Sequence, residues 1–254
     1  MDPVDIISGN IAKFLMIFLR LSVFFALVPI FSNTSLPVRF RIGLSLAMAV
    51  LLTPIVQVSV GEGGLAILIM REVIFGLVLG LALRFVFVSI EMGGQMISYS
   101  MGMAMGSTFS PDLGHQVTYM SQLLTIIATL LFLATDCHHD LITLFVRSYE
   151  IAPFGASDPS VMVREGMALI SKTFVLAVKV GAPIIVGVVT LNILLGFIVK
   201  ATPQINIFFI GFPIYIALGF FILMLGLPAY ILLFGGSLSE VRFEAARIIE
   251  MAGR

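Results

Sequence analysis

Asp136-Cys137-His138-His139-Asp140 is the densest run of metal-ligating and proton-transferring side chains in the sequence. Carboxylates, thiolates and imidazoles are the usual zinc ligands, and zinc sites commonly space them by about two to five residues so that the donors converge. Here they are adjacent, and neighbours on one short segment point in different directions. The spacing predicts a polar turn at the membrane surface and no metal. Catalysis has no better footing. The chain has 3 histidines, His115, His138 and His139, and nothing in the sequence nominates a nucleophile for any of them. Serine-hydrolase, P-loop, zincin and dinucleotide-binding signatures are all missing. Neither an enzyme nor a cofactor is expected.

Ionisable residues within apolar segments are functional candidates, because the bilayer makes them costly. Arg71 and Glu72 stand near the start of one such segment. Arg84 and Glu91 lie two turns apart on one helical face, as do Lys172 and Lys179. The competing reading for each is an ion pair between neighbouring helices, or a long side chain reaching back to the interface. A proton relay wants an isolated acid at mid-span, and none is evident.

The most unusual stretch runs from Glu91 to Leu113. It carries methionines at 92, 96, 101, 103 and 105 and glycines at 93, 94, 102 and 106, with no charge between Glu91 and Asp112. Small and polar residues are too dense there for a lipid-facing helix. Methionine is unbranched and polarizable, so a cluster of them closes around objects of varying shape. A Met/Gly loop ending in Phe109 would make a deformable seal across a pore. The alternative is close helix packing, since Gly76/Gly80 and Gly102/Gly106 both have the small-xxx-small spacing of paired membrane helices. Spacing alone leaves both open.

The elements that hold these residues are set by composition. Of 254 residues, 59% are hydrophobic and only 11% are charged, against about 25% charged in a soluble domain. Mean hydropathy is +1.14. Stretches free of Asp, Glu, Lys and Arg run from Ile42 to Gly61, Met92 to Pro111, Val180 to Val199 and Ala201 to Ser239, and a helical span needs roughly 20 such residues. The apolar runs are too long and too unalternating for barrel strands, so the fold class is an all-α integral membrane protein. Apolar segments are expected near 11–31, 42–60, 65–90, 117–135, 168–199 and 205–235, in one continuous domain over 1–254. The first reads as a retained helix and not a cleaved signal, since Asp2 and Asp5 precede it and Lys13 and Arg20 lie within it.

Net charge is +0, which argues against a nucleic-acid partner. An acidic N-terminus outside and Arg39/Arg41 inside agree with each other. Six simple spans would then put the tail with Arg242, Arg247 and Arg254 outside, so some segment is a hairpin or does not cross. Breaks are expected at Gly181-Ala182-Pro183, Thr202-Pro203, Gly211-Phe212-Pro213 and Gly226-Leu227-Pro228, because proline removes a helical hydrogen bond, with simple kinks in ordinary spans as the competing reading for about half of them.

Several short motifs recur together in one order. They are Arg20 through Pro29-Ile30-Phe31, Pro37-Val38-Arg39-Phe40-Arg41-Ile42, and Glu72 with Gly76 and Gly80. Gly94-Gln95 with Met101-Gly102 follows, then His138-His139 leading to Ser148 and Pro153, then Pro203-Gln204-Ile205-Asn206-Ile207-Phe208 with Gly211-Phe212-Pro213. In order and spacing the chain resembles, over essentially its whole length, the FliR/SctT family of type III export-gate subunits. Gly94-Gln95 with Ser107-Thr108-Phe109-Ser110-Pro111 is more similar to the flagellar branch.

The resemblance implies broken helices and helical hairpins packed in a hetero-oligomeric helical gate in the bacterial inner membrane at the flagellar basal body. FliP-like and FliQ-like gate subunits, FlhB-like and FlhA-like export components, membrane lipid and unfolded flagellar substrates are the implied partners. It would place the pore plug on Met101, Gly102, Met103, Met105, Gly106 and Phe109. Helix packing or inter-subunit contact would fall to Glu72, Gly76, Gly80, Arg84, Glu91, Gly94, Gln95, Pro203, Gln204 and Asn206. A secondary transporter with discontinuous helices is the alternative, because half-helix ends bind substrates at the midplane. It lacks a repeated pair of interrupted segments. An intramembrane enzyme would need a nucleophile–base pair or a ligand set drawn from several helices.

Overall fold

The computed structural model describes residues 3–32, 37–56, 64–103, 118–151, 159–202 and 207–252, and every described element is α-helical. In chain order these are α1 (Pro3–Leu27), α2 (Pro29–Ser32), α3 (Val38–Leu52), α4 (Leu65–Ser100), α5 (Tyr119–Ala134), α6 (Cys137–Ile151), α7 (Pro159–Ala201) and α8 (Ile207–Ala252). Prolines mark several starts. Pro3, Pro29 and Pro159 are the first residues of α1, α2 and α7, where a missing N–H costs nothing. The residue before a proline disfavours helix, and α1 stops at Leu27, short of Val28-Pro29.

Among the described residues, four helices are long and apolar enough to cross a membrane: Asn10–Leu27, Ala66–Ser100, Val163–Ala201 and Phe209–Met251. The pair Tyr119–Ala134 and Cys137–Ile151, bent by 67° at its junction, makes up to 5. This accords with the expectation that not all six apolar segments are simple spans. α3 has 15 residues, a rise of only about 22 Å, which is short of the roughly 30 Å hydrocarbon core.

The expected interior breaks are corrected. α7 has 43 residues and is continuous through Pro183, and α8 has 46 and is continuous through Pro213 and Pro228. A proline deletes one ladder bond, whereas ending the helix would strand several backbone groups where no water can reach them. The tighter break lies at Thr135-Asp136, where Asp136 adopts φ 53°. Asp136 N–H donates to the Leu133 carbonyl, and the Asp136 carbonyl accepts from His139 N–H, so one residue closes α5 and opens α6. The Thr202-Pro203 break agrees with α7 ending at Ala201.

Residues group into two compact units. One comprises 1–86, 132–171 and 237–254, and the other comprises 87–131 and 172–236. In the first, α1, α4 and α6 share a core that includes Met16, Leu21, Phe24, Phe75 and Phe145, with Phe24 and Phe145 rings 5.3 Å apart. Arg242 pairs with Asp140 and Arg247 with Glu165, which ties the end of α8 to α6 and α7. The tail that carries Arg242 and Arg247 is therefore the last part of α8.

In the second unit, α7 buries a narrow stripe that includes Thr173, Ala177, Val180, Ile184 and Val188, while Phe174, Val186, Val189 and Phe197 are exposed. Tyr230 lies in an apolar groove with Ile90, Leu124 and Phe234, and its hydroxyl donates to the Val180 carbonyl at 2.6 Å. The burial contrast is large. An 18-residue apolar window of the Ala66–Ser100 span is 61% buried and one of the Phe209–Met251 span only 11%, so α4 is a core helix and the apolar part of α8 lies mostly at the surface.

Candidate functional site

The Met/Gly segment begins where α4 stops, and glycine sets the stop. Gly102 has φ 75°, a backbone state that costs glycine little and other residues more. Met103 N–H donates to the Ser98 carbonyl at 3.0 Å and Gly102 N–H to the Tyr99 carbonyl at 3.1 Å. These are the paired bonds of a Schellman cap, which satisfies carbonyls otherwise orphaned at a helix end. Met101, the preceding residue, is fully buried.

Met101 is clamped by a helix distant in sequence. A Cβ placed on Gly219 of α8 would lie 2.5 Å from Met101 Cε and Sδ, so the thioether occupies the space that any larger residue would need. A Cβ on Gly102 would lie 3.2 Å from the Phe212 ring. Met103 is half-buried. The structure thus gives the start of the expected plug segment, with Met101 and Gly102 seated beside α8. Met105, Gly106 and Phe109 lie outside the described residues, as do Pro203, Gln204 and Asn206.

The second cluster is electrostatic. Arg20 on α1 is 1% exposed and Glu72 on α4 is 0% exposed, and Arg20 Nε donates to Glu72 Oε2 at 2.6 Å. Arg20 Nη1 donates to Ser148 Oγ at 2.9 Å, and that hydroxyl donates to the Phe145 carbonyl at 2.6 Å. The guanidinium carbon sits 4.2 Å from the Phe75 ring centre and 4.1 Å from that of Tyr149. A planar, delocalised cation fits between two aromatic faces better than an ammonium would. The cluster joins α1, α4 and α6 through one buried charge.

Glycine spacing explains how the helices approach so closely. A Cβ on Gly76 would lie 2.6 Å from the Arg20 carbonyl oxygen, and one on Gly80 would lie 2.8 Å from Leu27 Cβ. The Gly76/Gly80 pair is thus the face of α4 that receives α1. Gly94 does the same for α5, since a Cβ there would collide with Ser121 Cα and lie 2.9 Å from its amide nitrogen. Gly93 admits α7, with Val180 Cγ1 at 2.6 Å. Two adjacent glycines therefore admit two different helices on neighbouring faces of α4. Arg84, Glu91 and Gln95 are half-buried on α4, while Lys172 and Lys179 are exposed on α7.

Residue types alone singled out neither the Ser148/Tyr149/Phe75 cradle nor Gly93, Gly219 and Phe212 as contact points. One signal was present: Arg20 is a cation deep in an apolar helix, and Glu72 is an acid in another.

Comparison with known proteins bears on this geometry. A family model described as "Bacterial export proteins, family 1" matches residues 11–241. The chain is 31% identical over 221 residues to the flagellar biosynthetic protein FliR of Caulobacter vibrioides, covering 84% of this chain and 87% of the relative. The chain belongs to the FliR family of bacterial export proteins. The chain is also similar to further FliR proteins. The Bacillus subtilis protein is 26% identical, with 83% of this chain and 84% of the relative covered. The Escherichia coli protein is 27% identical, with 79% and 78% covered. The FliR family match includes Arg20, Glu72, the α4 glycines, the Met101–Gly102 cap and Gly219.

Proposed function

We propose that this chain is a subunit of the flagellar type III protein export gate, lining part of the channel by which unfolded flagellar proteins cross the bacterial inner (cytoplasmic) membrane at the basal body. Residues 1–254 act as one membrane-embedded export-gate domain, with a structural and not a catalytic role. The Met101–Phe109 segment seals the pore, and FliP-like and FliQ-like gate subunits together with FlhB-like and FlhA-like export components are its partners. Family membership carries this reading. Two structural features support it. Helices α7 and α8 expose apolar faces that lipid or neighbouring subunits must cover, and the start of the Met/Gly segment, Met101 and Gly102, is held against α8. The transporter alternative loses its main support, because α7 and α8 run unbroken through their interior prolines.

Mild-detergent purification of the tagged chain from its native cells is expected to recover FliP-like and FliQ-like proteins in one particle. A stable, monodisperse monomer would refute the assembly. The seal has its own test. Deleting Met103 to Gly106 leaves Gly102 to end α4, so the assembled variant is expected to make cells leaky to small ions and sensitive to small toxic solutes. Unchanged permeability in an assembled variant counts against the plug.

The start of the Met/Gly segment is testable separately. Gly219→Val drives a branched side chain into the Met101 thioether and is expected to raise ion leakage without displacing partner subunits. Normal permeability would show that Met101 does not position the seal.

A further inference from the structure

We propose that Asp136, His138 and His139, at the corner between α5 and α6, form a three-ligand site for a divalent first-row transition metal of the zinc type. Their adjacency in sequence argued against this, because neighbours on a regular segment diverge. The corner is not regular. Asp136 takes the left-handed conformation, φ 53°, which aspartate tolerates better than most residues. Its carbonyl starts α6, so its side chain leans over the first turn of that helix. One potential donor atom from each of Asp136, His138 and His139 then lies within 4.8 Å of the others.

One donor pair already stands close to the separation that the chemistry needs. Ligand bonds of about 2.0–2.1 Å to a tetrahedral ion place the donors roughly 3.3 Å apart. Asp136 Oδ1 and His139 Nδ1 are 3.5 Å apart, and the two imidazole centres are 4.1 Å apart, with their planes inclined at 37°. His138 Nδ1 is buried and makes no hydrogen bond. The neighbouring candidates are already engaged: Asp140 by Arg242, and Cys137 Sγ by Thr135 Oγ1 at 3.2 Å. Two imidazoles and a carboxylate without thiolate suit zinc, nickel or copper(II) and not copper(I). Three protein ligands leave a position for water, and the Asp136 and His139 side chains are 75% and 71% exposed, so the ion enters from solvent. Held between the end of α5 and the first turn of α6, it pins the 67° bend.

The test uses the full-length chain with a histidine-free tag, purified in mild detergent with the subunits that accompany it. The preparation is stripped with chelator and titrated with Zn²⁺ alone against a chromogenic competitor. Wild type is expected to take up one more Zn²⁺ per chain than the Asp136→Asn/His138→Gln/His139→Gln variant. His139→Gln alone, at an exposed position, is expected to bind at least about 10-fold more weakly. Saturating Zn²⁺ raises the Tm of wild type and not of the triple variant. His115→Gln retains the site. Equal uptake by wild type and the triple variant overturns the proposal, as does loss of the same equivalent in His115→Gln.

Discussion

Glu72→Ala is expected to lower the stability of the chain by roughly 3–5 kcal/mol, the scale for leaving one member of a buried ion pair without its counterion. Arg20 remains 1% exposed, held between the Phe75 and Tyr149 rings, and loses the Glu72 carboxylate that it meets at 2.6 Å. The ring contacts and the Ser148 bond offset part of that cost but cannot neutralise the charge. Thermal unfolding in detergent reads the loss directly, and an unchanged Tm would show that the pair does not hold α1 to α4.

A second variant separates fold from function. Replacing both partners, Arg20→Met with Glu72→Leu, removes the charge and its desolvation together and is expected to recover most of the stability. If the Tm recovers while motility does not, the pair contributes to export beyond holding helices together.

Gly94→Ala is the second large effect, and a single methyl group causes it. The new Cβ meets backbone, Ser121 Cα and its amide nitrogen at 2.9 Å, and backbone cannot escape by changing rotamer. Overpacking commonly costs about 1–3 kcal/mol, and the upper end or more is expected where two helix axes must separate. Gly43→Ala and Gly196→Ala are the controls. A Cβ at either meets nothing within 4 Å, so both are expected to be neutral or to stabilise by up to about 1 kcal/mol. Equal losses at Gly43 and Gly94 would mean that glycine acts through backbone flexibility and not through close approach.

Much of this was legible before folding. The all-α membrane class follows from apolar runs too long for strands and too poor in charge for water. The small-xxx-small spacing at Gly76/Gly80 pointed to helix packing, and α1 lies against those two positions. Proline was the misleading signal. Gly181-Ala182-Pro183 reads as a break by local propensity, yet α7 continues, because in lipid the remaining backbone bonds outweigh the one that is lost. Asp136 is a different case. A left-handed backbone angle at one residue has no reliable sequence signature, and at this corner donor atoms of Asp136, His138 and His139 lie within 4.8 Å of one another.

The sequence by itself determined the solvent this protein lives in, its helical class and its family, because these depend on composition, on period and on the order of short motifs. The partners were decided by tertiary structure. Arg20 and Glu72 are 52 residues apart and Arg20 and Ser148 are 128 apart, while Met101 meets Gly219 from the far end of the chain. Each residue advertises a need, for a counterion, a cavity or a close neighbour. Which distant residue meets that need depends on where long helices cross, and only the packed chain fixes those crossings.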